Sequence, residues 1–107
     1  MIAREVTMNL KPDSQAKFTQ KLEKVIIPLL RLQKGFKDEI SLIVSGGRKA
    51  IAISLWDNKE DAETYNRVKY QEVLKDMADV IEGTPQVETC EVSNSTWYKI
   101  AAAPIAA

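Results

Sequence analysis

The order of apolar and polar positions along the chain predicts six elements, arranged β-α-β-β-α-β. Residues 2–10 alternate, so they are predicted to form a strand whose apolar face contains a single charged residue, Arg4. After a helix start at residues 11–14, apolar residues recur at helical spacing from Phe18 onwards. Pro28 is expected to bend or interrupt this helix, because proline lacks the backbone donor that a helix interior needs.

Residues 36–45 and 48–56 are predicted to form a β-hairpin around Gly46-Gly47, because glycines supply the positive φ angles of a two-residue turn. The turn sets the register, which places aliphatic residues on one face of the hairpin and a small, mixed set on the other. The expected cross-strand pairs are Leu42–Ile51, Ile40–Ile53, Ile43–Ala50, Ser41–Ala52, Glu39–Ser54 and Lys37–Trp56.

A run of acidic residues predicts the start of a second helix, with Asp57 and Glu60 as a capping box. The apolar positions of this helix shift to another face near residues 68–70, so a local irregularity is expected there. The helix is predicted to continue to about Glu82.

A last strand is predicted over residues 85–94, with Cys90 facing the core. The element order is typical of the ferredoxin-like α+β fold, in which two helices cover one face of a four-stranded antiparallel sheet. The other face would remain apolar and uncovered, so a second copy of the chain is expected to cover it. The residues expected on that second face are Ile43, Ala50, Ala52, Trp56 and Val87.

The composition indicates one domain and restricts its partners. The 107 residues are predicted to form a domain over 1–94 and a C-terminal extension over 95–107. With 15 basic and 15 acidic residues and no long run of either sign, no nucleic acid or anionic membrane is expected as a partner. The apolar runs are too short to cross a bilayer. A single cysteine and no leader segment predict a cytoplasmic location.

The sequence contains no histidine. This excludes Ser-His-Asp and Cys-His nucleophile systems, and it excludes zinc or haem held by histidine. Proton transfer would then depend on carboxylates, Tyr, Lys, Arg or the substrate itself. No metal and no cofactor are predicted.

Three short motifs carry a family resemblance: Gly35-Phe36 before the second strand, SLWDNKEDAETY at residues 54–65 and YQEVL at residues 70–74. Over about residues 2–94 the chain resembles the antibiotic biosynthesis monooxygenase superfamily of dimeric α+β barrels. The resemblance implies a homodimer whose sheets face one another and a small-molecule pocket in each protomer. Some members oxidise aromatic phenols or quinols with dioxygen and no cofactor. The haem-degrading branch uses a histidine on the second helix, and this chain has Leu74 near that position.

Glu5 and Glu91 are the predicted catalytic carboxylates. Alternation places both on the face without helices, on strands expected to be neighbours. Ionising a covered carboxylate is costly, so its pKa would rise towards neutrality, as a general base requires. The alternative is that the strand ends are exposed to solvent or that Arg4, Lys37 or Arg48 forms an ion pair with these carboxylates.

Trp56 is predicted to form an aromatic wall for a flat ligand, with Asn9 and Ser54 on the same face as polar contacts. Tyr65 and Tyr70 could donate phenolic hydrogen bonds from the second helix. The alternative for all three aromatic residues is packing. The remaining predicted substrate contact is Arg48, near the hairpin turn.

These residues support binding of a small aromatic molecule, with cofactor-independent monooxygenation of a phenol or hydroquinone as the predicted reaction. The phenol anion would transfer an electron to dioxygen before the two recombine. A non-catalytic ligand-binding or oligomerisation module of the same fold is the alternative. A cavity lined by Asn9, Trp56 and a carboxylate would favour the enzyme, whereas a solid interface would favour the module.

Overall fold

The computed structural model describes residues 1–98. A four-stranded antiparallel sheet, in the order β2-β3-β1-β4, has helices packed on one face. The ferredoxin-like α+β fold is thus confirmed. The elements are β1 Ile2–Leu10, α1 Gln15–Lys21, a π-helical segment Leu22–Ile26, α2 Ile27–Arg31, β2 Phe36–Ile43, β3 Lys49–Trp56, α3 Lys59–Val68, α4 Tyr70–Met77 and β4 Ile81–Glu91.

Most of the predicted C-terminal extension lies outside the described residues, because it runs from 95 to 107. Its described start, residues 95–98, reaches back to β2, where the Tyr98 hydroxyl donates a hydrogen bond to the Asp38 carboxylate at 3.2 Å. None of the helices in this part of the chain is long and apolar enough to cross a membrane.

Pro28 does not interrupt the first helical region, which continues from Gln15 to Arg31. The backbone instead widens just before the proline, where the Ile27 N–H donates to the Leu22 carbonyl five residues earlier. A proline cannot donate to the carbonyl four residues before it and crowds that carbonyl, so the wider turn accommodates Pro28. Leu22 and Ile26 of this turn are both buried.

The second helical region breaks at Lys69, between α3 and α4, which confirms the expected irregularity. The predicted cap is wrong by one residue: the Asn58 side chain, not that of Asp57, accepts the Asp61 backbone N–H at 2.9 Å. The predicted end at Glu82 is also wrong. Helix α4 ends at Met77, because the chain from Ile81 onwards pairs with β1 as part of β4.

The hairpin register is confirmed for five of the six predicted pairs. The predicted Lys37–Trp56 pair is wrong, because an irregularity between Phe36 and Asp38 places Phe36 opposite Trp56. The two rings meet edge to face, with centroids 5.6 Å apart.

The prediction of which sheet face the helices cover is wrong for the three strands other than β1. Trp56 and Ala50 are fully buried in the helix-facing core, and Ala52 packs against that core. Ile43 pairs with Ala50, and Val87 pairs with Val6, so they lie on the helix side as well. Small residues on the central strands leave room for large helix side chains, so the mixed face, not the aliphatic face, receives the helices.

The face without helices, here called the open face, is apolar over β2 and β3 and polar over β1 and β4. Leu42 and Val44 are exposed over 45% and 42% of their surface, and Leu42 pairs with Ile51. On the polar half Glu5 pairs with Glu88. Cys90, predicted to face the core, is exposed and pairs with Ala3 on the open face.

Candidate small-molecule site

A cavity lies between the helix face of the sheet and the helices. Its volume, measured as the space open to the centre of a water molecule, is about 60 Å³. This is several times the volume that one water molecule requires. Apolar side chains from β1, the first helical region and α4 form most of its wall, including Leu22 and Ile26 of the π-helical segment. Ala52 of β3 lines the sheet side of the cavity, the floor, and its small side chain leaves space above the sheet. The space is suited to a compact apolar ligand body.

Three polar residues cross the floor of this cavity in one row. Arg4 on β1 pairs with Ser54 on β3, and Ser54 pairs with Glu39 on β2. Paired residues of antiparallel strands point to the same side, so all three side chains belong to the helix face. All three line the cavity. We call this set the polar row.

Arg4 is a buried cation, with 4% of its surface exposed. Its Nη2 donates to the Asn66 side-chain oxygen at 2.8 Å, and its guanidinium carbon lies 4.1 Å and 5.2 Å from the ring centres of Tyr70 and Tyr65. These contacts fix the guanidinium by one hydrogen bond and two cation–π interactions. Its Nε finds no acceptor among residues 1–98.

Two tyrosines close the cavity above Arg4. The Tyr65 ring stacks on Trp56 with centroids 5.0 Å apart, and burial raises the pKa of its hydroxyl to about 12. Burial also raises the pKa of Tyr70, although the positive charge of Arg4 and the closeness of its guanidinium to the Tyr70 oxygen partly offset this effect. Both hydroxyls are therefore neutral donors at physiological pH. The buried Tyr70 hydroxyl has no hydrogen-bond partner within the described residues.

Trp56 lies behind the cavity wall and orients Ser54. Its indole Nε1–H donates to the Ser54 hydroxyl oxygen at 2.9 Å. Because that bond uses an acceptor site of the oxygen, the hydroxyl proton of Ser54 is left to donate elsewhere. Trp56, predicted as an aromatic wall, does not line the cavity, whereas Tyr65 does, and Trp56 stacks on Tyr65 from outside the cavity.

Glu39 is the carboxylate of the cavity, and it also lines an outer polar pocket formed by β2 and α2. Burial raises its pKa, the hydrogen bond from the Ser41 hydroxyl lowers it, and the negative charge of Asp38 raises it further, with burial the largest effect. A covered carboxylate with a raised pKa was predicted for Glu5 and Glu91. Glu39 is a half-buried carboxylate whose pKa is raised.

The remaining predicted residues lie away from the cavity. Glu5 and Asn9 are on the open face, as predicted, but Asn9 is therefore on the opposite side from Ser54 and Trp56. Glu91 does not share a face with Glu5, because it pairs with Ile2 at the end of the sheet, where it is exposed. Their proposed roles stay predictions.

Arg48 has a structural position near the hairpin turn. Its Nε donates to the Leu10 carbonyl at 2.9 Å, and its Nη2 forms an ion pair with Glu82 at 2.9 Å. Of the predicted substrate contacts, the structure therefore brings together Ser54, Tyr65 and Tyr70.

Arg4 and Glu39 are the functional candidates that the sequence-based site did not include. Both carried a visible signal. Arg4 is the one charged residue on the apolar face of β1, and the hairpin register already paired Glu39 with Ser54. A polar group that interrupts an apolar strand face is a better indicator of a site than a glutamate on a polar face.

No protein-family model matches the sequence, and no curated protein matches it significantly. Solved structures match it in fold. NE2512, a protein of unknown function from Nitrosomonas europaea, is 16% identical, with a TM-score of 0.73 over 95% of each chain. A monooxygenase from the gene ActVA-Orf6 of Streptomyces coelicolor, in complex with Nanaomycin D, is 13% identical, with a TM-score of 0.74 over 88% of each chain.

SnoaB, a cofactor-independent oxygenase from Streptomyces nogalater, is 9% identical, with a TM-score of 0.73 over 89% of this chain and 95% of that one. At such identities the likeness concerns architecture. The chain has the ferredoxin-like α+β fold of antibiotic biosynthesis monooxygenases, which confirms the predicted resemblance at the level of the fold.

Proposed function

We propose that the protein binds a small aromatic molecule in this cavity and acts as a cofactor-independent monooxygenase on an electron-rich phenol or hydroquinone. The observation that carries the proposal is the polar row, which places a cation and a carboxylate with a raised pKa in an otherwise apolar cavity. The fold shared with a monooxygenase and a cofactor-independent oxygenase supports it. The cavity volume of about 60 Å³ favours a ligand with a single ring over a polycyclic ligand.

The polar row supplies the groups that this chemistry needs. Ionised Glu39 accepts the phenolic proton, and Arg4 stabilises the phenolate oxygen. The phenolate transfers one electron to dioxygen, and the resulting radical and superoxide join as a peroxide anion on a ring carbon that bears hydrogen. Protonated Glu39 then returns its proton, which gives the hydroperoxide. Loss of water then breaks the O–O bond and removes that hydrogen, leaving a quinone carbonyl. The substrate loses two hydrogens and gains one oxygen atom, and the second oxygen atom leaves as water.

A ligand-binding module without catalysis is the second candidate. The Tyr70 hydroxyl and Arg4 Nε form a binding site whether or not oxygen reacts there. The two candidates differ in one measurable respect: the enzyme consumes dioxygen and forms a quinone, whereas the module returns its ligand unchanged.

Oxygen uptake with a panel of single-ring phenols and hydroquinones tests the enzyme. We expect uptake to rise with pH through the raised pKa of Glu39, because the base must be ionised to accept a proton. Glu39→Gln should lower kcat by roughly 10²–10⁴-fold and remove that pH dependence. Labelled dioxygen should place one labelled atom in the product.

Glu5→Gln is the matched control, since it makes the same change on the open face. A loss of rate in Glu5→Gln but not in Glu39→Gln would return the base to the residue predicted from sequence. Absence of uptake with every compound would leave the ligand-binding module as the function.

We further propose a homodimer in which the apolar half of the open face packs against a second copy. Leu42 and Val44 are about half exposed there, beside Ile51 and Ile53, and such a patch stabilises association when it is covered. This interface replaces the one predicted around Trp56, which the chain's own helices cover.

Light scattering should report twice 12.0 kDa for the wild-type chain. Leu42→Asp should reduce the mass to that of one chain, because it places a charge in the interface. Val68→Asp is the control, since Val68 is 60% exposed on α3, away from the open face. A wild-type monomer, or equal effects of both substitutions, would contradict the proposed interface.

A further inference from the structure

We infer that the cavity selects an organic anion, a compact ring carrying a carboxylate or phenolate oxygen, and that Arg4 binds this oxygen. The inference deepens the proposed function and rests on it for the location of the site. It specifies the charge of the ligand and the residue that recognises this charge. A neutral ring of the same shape should bind far more weakly.

The first argument is that the charge of Arg4 is uncompensated. A buried ion is costly unless an opposite charge is close to it, and Arg4 has no carboxylate within 4.0 Å among residues 1–98. Its contacts are the neutral Asn66 amide and two tyrosine rings. Glu39 belongs to β2, whose axis lies two strands and about 10 Å from that of β1, and its carboxylate forms no ion pair with Arg4. A negative ligand group would supply the missing charge.

The second argument is that unpaired donors meet in the cavity. The Arg4 Nε and the Tyr70 hydroxyl are buried without partners among the described residues, and both side chains line the cavity. Buried polar atoms in native proteins nearly always have partners, so these two indicate a group that accepts hydrogen bonds. The Ser54 hydroxyl proton is a third donor on the same floor. Two hydroxyl donors and the N–H of a cation match an anionic oxygen.

The third argument is that Arg4 is held in place before any ligand arrives. Asn66 fixes one guanidinium nitrogen at 2.8 Å, and the Tyr70 ring lies 4.1 Å beneath the guanidinium carbon. A cation fixed in this way loses little freedom on binding, so more of the interaction energy appears as affinity. Apart from Arg4, Glu39, Ser54 and the two tyrosines, the wall is apolar, which excludes a strongly hydrated inorganic anion and favours an anion with an apolar ring.

4-Nitrophenol provides the test, because its absorbance distinguishes phenol from phenolate. The full chain is titrated with this probe at a pH where half of the free probe is ionised. We expect bound probe to be almost entirely phenolate. Benzoate should displace it at concentrations about 30-fold lower than benzamide, a ring of similar size without the charge. A bound neutral phenol, equal displacement, or no binding of any of these compounds would overturn the inference.

Two variants assign the effect to the site. Arg4→Met keeps an apolar side chain in the core and should abolish the preference for benzoate over benzamide. Tyr70→Phe removes one hydroxyl without changing the ring, so it should weaken benzoate binding about tenfold while benzamide changes less. An unchanged preference in either folded variant would overturn the assignment. If Arg4→Met does not fold, Tyr70→Phe and the wild-type comparison decide the result.

This test is independent of turnover. Binding of the probe as phenolate, together with no oxygen uptake from any phenol or hydroquinone of the panel, would end the monooxygenase proposal and leave the anion site intact. Oxygen uptake with neutral ligands that Arg4→Met still oxidises would end the anion site and leave the monooxygenase.

Discussion

Replacing Trp56 with alanine is expected to lower the free energy of unfolding by about 3–5 kcal/mol. Trp56 is fully buried, stacks on Tyr65 and meets Phe36 edge to face. The substitution would empty the space behind the cavity wall and remove the indole N–H that donates to Ser54. Urea titration followed by circular dichroism measures the change, since fluorescence would lose its main reporter.

Trp97→Ala makes the same chemical change at the other tryptophan. Trp97 is 62% exposed, so its replacement should alter the free energy of unfolding by no more than about 0.5 kcal/mol. The Trp56→Ala effect should also be independent of protein concentration, because the indole packs against rings of its own chain. Comparable destabilisation of both variants, or a Trp56→Ala effect that fades at high concentration, would place the indole in a subunit interface instead.

Gly35→Ala is expected to cost about 2–4 kcal/mol of stability, the second largest effect. Gly35 has a φ of +79°, where a side chain is strained, and an added Cβ would lie 2.1 Å from Asp61 Oδ2 and 2.7 Å from Asp61 Cβ. Asp61 is buried in the first turn of α3 and cannot move aside cheaply. The Gly35 carbonyl also accepts the Asp57 N–H at 2.8 Å, so a shift here would disturb the end of β3.

Gly83→Ala isolates the backbone part of this cost. Gly83 has a φ of +74° but nothing within 4 Å of an added Cβ, so only the backbone strain of about 1 kcal/mol should appear. The difference between the two variants measures the contact with Asp61. Thermal unfolding of both proteins under the same conditions gives that difference, and equal destabilisation would show that the contact relaxes freely.

The element order, the hairpin register and the break near Lys69 could be predicted because local signals determine them. Turn glycines set the register, and a shift of apolar positions marks the break. The assignment of sheet faces could not be predicted in the same way. Aliphatic content ranks Ile51 and Ile53 above Ala50 and Ala52, but the helices need small residues opposite large ones, and that requirement depends on the partner surface.

The predicted site residues do not come together in the structure where their placement depended on that face assignment. Glu91 and Trp56 belong to β4 and β3, for which the predicted helix-covered face is the opposite of the observed one. Glu5 and Asn9 on β1 were assigned correctly to the face without helices. Tyr65 and Tyr70 reached the cavity because helical spacing places them independently of the sheet. The pairing of Arg4 with Ser54 requires the β1–β3 register, which joins strands that are distant in sequence.

The π-helical segment before Pro28 lets a proline lie within a helix that lines the cavity. A π turn is one residue inserted into an α-helix, and its wider winding takes up the rotation of about 100° that the extra residue would add, so the side chains that follow keep their direction. Leu22 and Ile26 reach the ligand space from this segment, and Leu30 follows from α2. Removing the exposed Glu23 would restore α-helical winding and leave Leu30 facing the wall, but it would bring the Pro28 ring against a carbonyl of the preceding turn, so the extra residue is what allows a helix containing proline to line the binding space.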